Sequence, residues 1–138
     1  MNNQEDPGIR PATANSTPEK KVGMARITAA ARYSAAGLLS ALRSEEAFRQ
    51  ESIAFCVLAP LGWWLGETPV EQVLLIGSLV LVLIVELLNT AVENVVDRVG
   101  HEYHELSKDA KDTGSAAVFV SIGLVFLTWG LILLTPAG

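Results

Sequence analysis

Apolar positions gather into three runs along the chain. The first is residues 53–65, IAFCVLAPLGWWL. The second is residues 73–85, which continues into VELLNTAVENVVDRVG. The third is residues 115–134, SAAVFVSIGLVFLTWGLILL, which carries no formal charge. A membrane-spanning helix needs about 20 such residues to cross ~30 Å of hydrocarbon. The third run is the clearest span. The second reaches the length through its continuation, and the first when Phe48 and its flanks lengthen it. Pro60 lacks a backbone donor and predicts a kink, and Trp63 and Trp64 suit an interfacial belt. Upstream, Met24, Ile27, Ala31, Ala35, Leu38 and Leu42 recur every three or four residues, with Arg26 and Arg32 off their stripe. That spacing predicts an amphipathic helix too weakly apolar to span, lying on the membrane surface or covering the bundle top, and broken near Gly37.

The pattern predicts an all-α membrane protein. A tail over 1–22, rich in Pro, Asn, Thr and charge, is expected to be disordered. The membrane domain covers 23–138, with a surface helix at 24–43 and spans at about 47–66, 70–97 and 114–135. Composition agrees, since half the residues are apolar and mean hydropathy is +0.36. The first twenty residues hold no apolar h-region, so no signal peptide is expected. Ten basic residues against fifteen acidic ones, a net charge of −5, argue against a nucleic-acid partner. The lone Cys56 cannot form an internal disulfide and reads as a small buried hydrophobe.

Basic residues set the orientation. Arg10, Lys20, Lys21, Arg26, Arg32, Arg43 and Arg49 precede the first span, and Arg98, Lys108 and Lys111 lie between the second and third. Residues 66–72 and the C-terminus have none. The positive-inside rule puts the N-terminus and the 98–114 loop in the cytoplasm and the C-terminus on the far side of the membrane.

The second run poses a chemical question, because Glu86 interrupts it. At about 100° per residue, Glu86, Asn89, Glu93 and Asp97 share a face about 80° wide, opposite Leu88, Val92, Val95 and Val96. A carboxylate turned to lipid would cost several kcal/mol, on the order of 3 or more. The polar face must therefore look inward or toward a partner helix. If the span begins near Val73, Glu86 lies about 9 Å below the cytoplasmic boundary, with Glu93 and Asp97 at the water's edge. A lipid headgroup hydroxyl can reach the first carboxylate, and a soluble, metal-bound substrate can reach the others. Asn89 alone is more often interhelical glue.

The segment RVGHEYHELSKDAKDTGSAAV holds His101 and His104 three apart, not the four of a H-E-x-x-H zinc site, which excludes a zinc protease. Lys111 precedes Thr113-Gly114-Ser115, where the third span begins. A helix N-terminus there, with Lys111, would suit a phosphate. No Walker A motif, kinase Gly-rich loop or D-F-G is present, so any use of ATP is by other means.

The core E-x-x-N-x-x-x-E-x-x-x-D-R…EYHEL…KD, in VELLNTAVENVVDRVGHEYHELSKDAKDTGSAAV, resembles the small integral-membrane diacylglycerol kinases of bacteria. The resemblance extends more faintly to EEAFRQE and RITAAARYSAAGL and covers roughly residues 24–135. It implies an ATP-dependent lipid kinase that makes phosphatidic acid, built as a homotrimer of three-span subunits with an N-terminal surface helix. It implies Glu86 as general base on the lipid hydroxyl, and Glu45 and Glu93 as holders of the Mg²⁺ that carries ATP. Around the nucleotide it implies Arg26, Tyr33, Glu102, Tyr103, His104, Lys111 and Asp112, together with Glu45 and Glu93. On the lipid side it implies Ser115, Asn89, Ala30, Ser34 and Glu51, besides Glu86. Two positions depart from the pattern: Arg32 stands where a small residue is usual, and Thr113 where Met is frequent. Phosphoryl transfer needs positioning and charge neutralisation more than covalent help, which suits such a site.

Two other readings compete. A sister activity, undecaprenol kinase, shares the scaffold, but its members tend to have alanines where this chain has Gly114-Ser115. A proton or cation pathway through Glu86 and Asn89 would not need so large a polar cap. A passive scaffold leaves Glu86 unexplained.

Overall fold

The computed structural model describes residues 23–100 and 102–134. The expected tail over 1–22, His101 and residues 135–138 lie outside the described residues. The chain divides into two compact units, Met1–Ser34 and Ala35–Gly138. All described secondary structure is helical: α1 (Met24–Ser44), α2 (Glu46–Leu65), α3 (Pro69–Val99) and α4 (Glu105–Leu134).

Within the first unit, Gly23 sets the start of α1. Its φ of +67° is a left-handed conformation open to glycine, and its carbonyl accepts from the amides of Arg26 and Ile27. Met24 and Ile27 are exposed. The expected break near Gly37 does not occur, and α1 continues to Ser44. A helical glycine costs only about 1 kcal/mol relative to alanine. The Ala and Leu residues on either side are strong helix formers that carry the helix through.

In the second unit, α3 is the central helix and packs against both α2 and α4. Its buried residues are Leu75, Ser78, Leu79, Val82, Glu86, Asn89 and Thr90. Their spacing of three and four is one helical stripe, apolar in its first half and polar in its second. Leu75 is wholly buried. Gly62 of α2 permits the approach, since a Cβ there would sit 3.2 Å from the Leu75 Cβ and 3.3 Å from the Trp129 ring. The Trp129 indole Nε1 donates to the Leu75 carbonyl at 3.2 Å, and the Ser78 hydroxyl donates to the same oxygen at 2.9 Å. The first of these bonds ties α4 to α3, and the second satisfies the buried Ser78 hydroxyl within α3.

The α2–α3 connection is tightly closed. Thr68 caps α3 by accepting from the Glu71 amide at 3.2 Å, and the Glu71 carboxylate accepts from the amides of Glu67 and Thr68. That reciprocal capping box, with Pro69 in the first turn, fixes where α3 begins. Gln72 donates to the carbonyls of Trp63 and Gly66, satisfying orphan acceptors at the end of α2. The helix runs through Pro60 to Leu65.

Two helices among the described residues, α3 and α4, are long and apolar enough to cross a membrane. Glu46, Arg49 and Glu51 load the first six residues of α2 with charge. At ~1.5 Å per residue, α3 and α4 each extend about 45 Å, some 15 Å more than a hydrocarbon core requires. The excess is polar and lies where the two helices approach their connection at residues 100–104.

Candidate active site

The polar half of the α3 stripe supplies the first part of the site. Glu86 is 4 % exposed and Asn89 8 %. Their burial follows from position, since they continue the face that Leu75, Leu79 and Val82 pack inward. Leu88 and Val95, on the other side, are exposed. One turn beyond Asn89, the half-buried Glu93 accepts a 3.1 Å hydrogen bond from its Nδ2.

Two carboxylates come from the start of α2. Glu45 caps α2 in extended conformation without using its side chain on the helix. Its Oε1 accepts from the Ser44 hydroxyl at 3.0 Å, and Phe48, buried three residues on, anchors that end of the helix. Glu51 is half-buried, and its Oε2 has no hydrogen-bond partner. It stands at the polar end of an apolar groove of about 260 Å³, lined among others by Phe55, Leu58, Val82 and Ile122. Glu86 is within Coulombic reach of Glu93 and Glu45, and Glu51 is within reach of Glu86. The structure thus gathers Glu45, Glu51, Glu86 and Glu93 into one acidic neighbourhood. Neither described salt bridge uses any of the four.

The second part is an open cavity of about 390 Å³ where α3 ends and α4 begins. Its lining includes Glu102, Tyr103, His104, Lys111 and Asp112, five of the residues expected around a nucleotide, with Asp97 and Lys108. Lys111 bridges to Asp97 at 2.6 Å, and Lys108 to Asp112 at 2.5 Å. The hydrogen bond from Lys111 to Asp97, and the charge beside it, raise the lysine pKa above its ordinary 10.5. His104 Nδ1 accepts from the Leu106 amide at 3.2 Å, which leaves Nε2 to carry the ring proton of the neutral form. A polyphosphate entering the cavity would meet two ammonium groups already paired to carboxylates.

One expectation is corrected. The helix containing Lys111 starts at Glu105, not near Thr113, so Lys111 stands well inside α4 and no helix N-terminus offers free amides beside it. The Lys108–Asp112 bridge at i,i+4 supports this added stretch. The sequence pattern does not point to Lys108 as a cavity residue; placing residues 105–112 on a helix brings it next to Lys111 and Asp112. Ser115 is exposed. Arg26, Ala30, Tyr33 and Ser34 belong to the first unit, where they lie on one face of α1 about 100° wide and are all exposed.

Among the described residues, no group of three or more His, Cys, Asp or Glu side chains is placed to hold a metal ion. Two carboxylates suffice for Mg²⁺ when substrate phosphates supply other ligands. Glu45 and Glu93, free of cationic partners among the described salt bridges, have the right donor chemistry.

A helical chain with two helices of spanning length, a carboxylate buried on one of them and a polar cavity where they meet has the architecture of a small membrane protein. The family model for prokaryotic diacylglycerol kinase matches residues 32–133. A diacylglycerol kinase of Haemophilus influenzae is 50 % identical over 114 residues, covering 83 % of this chain and 97 % of the relative. That of Escherichia coli is 49 % identical over 116 residues, 84 % and 95 % of the two chains. That of Pseudomonas aeruginosa is 49 % identical over 114 residues, 83 % and 93 %. This chain belongs to the prokaryotic diacylglycerol kinase family. The resemblance read from its residues is borne out, and with it the expectation of an enzyme of the kinase class.

Proposed function

We propose that the protein transfers the γ-phosphoryl group of ATP to the free hydroxyl of diacylglycerol, forming phosphatidic acid at the cytoplasmic face of the inner membrane. The observation that carries this reading is Glu86, a carboxylate buried on a spanning-length helix of a lipid-kinase family member. Such a group costs too much to keep without a use.

Glu86 accepts the proton of the lipid hydroxyl, at a depth which that hydroxyl reaches while its acyl chains stay in hydrocarbon. Water is scarce at that depth, so the carboxylate and hydroxyl meet without competing donors. Glu45 and Glu93 would hold the divalent cation that accompanies ATP, which neutralises phosphate charge. The cavity residues Glu102, Tyr103, His104, Lys111 and Asp112 bind the rest of the nucleotide. There Lys111 exchanges its Asp97 partner for a phosphate oxygen. Glu51, Asn89 and Ser115 border the lipid.

The working unit is a homotrimer of three-span subunits, with α2 as the first span and α1 on the cytoplasmic surface. Its N-terminus is cytoplasmic and its C-terminus external. The exposed Phe119, Phe126, Leu131 and Leu134 of α4 give a face suited to lipid or a second copy. Purified protein in mixed micelles with Mg²⁺ and γ-labelled ATP should label diacylglycerol and leave undecaprenol nearly unlabelled. Label on undecaprenol alone would refute the substrate assignment, and no label on either would refute the reaction.

A further inference from the structure

Gly114 of α4 faces Asn89 of α3. A Cβ built on Gly114 would collide with the Asn89 Oδ1, and the Asn89 Cγ would lie 3.4 Å from it. That oxygen is buried and has no hydrogen-bond partner, whereas the Nδ2 of the same amide donates to Glu93 at 3.1 Å. Reversing the amide would turn its oxygen onto the Glu93 carboxylate, acceptor against acceptor. The amide therefore has one workable orientation, and in it the oxygen occupies the room left by the missing side chain at residue 114.

We propose that Gly114 is a positioning residue for the nucleotide site, acting through Asn89 on Glu93. The inference rests on the reading of Glu93 as a ligand of MgATP. Any side chain at residue 114 displaces the Asn89 amide rather than the helix, because the atom it strikes is the free end of a side chain and not backbone. The displaced amide no longer donates to Glu93, whose carboxylate then loses its fixed rotamer. The consequence falls on MgATP, held by Glu93, more than on the packing of α3 against α4.

The test is a double-mutant cycle on the full-length protein in mixed micelles, with the KM for MgATP measured at saturating lipid and thermal stability followed by circular dichroism. A hydrogen bond to a charged group supports a change of about tenfold. Gly114→Ala and Asn89→Ala should each raise the KM by about that factor, and Gly114→Ala should add nothing when Asn89 is already Ala, because nothing remains to collide. If Gly114→Ala adds its own loss in that background, or lowers the melting temperature in both backgrounds, the glycine serves helix packing and the inference fails. Glu93→Gln separates the two layers. If it leaves the KM unchanged, the assignment of Glu93 falls. If it raises the KM while Gly114→Ala does not, only the positioning role falls.

Discussion

Glu86→Gln isolates the proton acceptor from everything else the residue does. The amide keeps the size and hydrogen-bonding capacity of the carboxylate, and the 4 % exposure of the site leaves little water to substitute for it. Loss of a general base costs about 10²- to 10⁴-fold in turnover, or ~3–5 kcal/mol at the transition state. Nucleotide affinity should hold. Glu93, assigned to that function, is seven residues and about 10 Å further along α3. Stability should hold as well, because the substitution removes one negative charge from a neighbourhood that also contains Glu45, Glu51 and Glu93. The assay is steady-state kinetics in mixed micelles, with MgATP and diacylglycerol varied independently, beside a thermal melt. The expected signature is a collapse of kcat, an unchanged KM for MgATP and a melting temperature no lower than that of the parent. Near-normal kcat would refute the base assignment, and the buried carboxylate would then need an explanation in packing or lipid binding.

Other outcomes follow from the same geometry. Glu93→Gln should weaken MgATP binding and raise the Mg²⁺ requirement as well as slowing turnover, which a titration of Mg²⁺ at fixed ATP would show. Lys111→Met should raise the KM for MgATP about tenfold while barely moving the melting temperature, since its bridge to Asp97 is largely exposed. Because that bridge raises the lysine pKa, its small stabilisation is present up to the ordinary lysine value of 10.5 and is lost as pH rises through the higher folded value. Melts of parent and variant should therefore converge only in strong alkali. Gly62→Leu should destabilise the protein by about 1–3 kcal/mol or more, because its side chain has no room between Leu75 and Trp129. With Cys56 replaced by Ala, a cysteine at Thr68 should react with an impermeant thiol reagent added outside, and one at Ser107 should not. The reverse pattern would overturn the proposed orientation.

Much of the helical pattern is legible because membrane helices write their faces plainly. The stripe from Leu75 to Asn89 has a 3.6-residue period, and Glu86 and Asn89 share its phase although their chemistry differs from that of Leu79. The start of α3 is signalled too, by Thr68 three residues ahead of Glu71 with Pro69 between, a capping signature carried by the residue types and their spacing. The start of α4 is not. ELSKDAKDTGS has no apolar period, so nothing in it separates a polar helix from a loop. Its helix is supported by relations that periodicity ignores, the Lys108–Asp112 bridge within it and the Lys111–Asp97 bridge across to α3.

The same contrast explains which parts of the site the sequence reveals. Carboxylates on a spanning helix stand out because hydrocarbon makes their presence expensive. Glu86 would attract notice in any chain of this composition. Gly114 stands out only against related sequences, since a glycine at the head of an apolar run is in itself ordinary. Its meaning depends on Asn89, twenty-five residues earlier and on another helix, whose amide needs the space a side chain would fill. Lys108 is similar, for it becomes a cavity residue only once α4 is known to begin at Glu105. Residues that carry charge into an unfavourable medium declare themselves through their own cost. Residues that act by leaving room, or by standing beside a partner on another helix, carry no such cost in the sequence, and only the packed structure gives them a role.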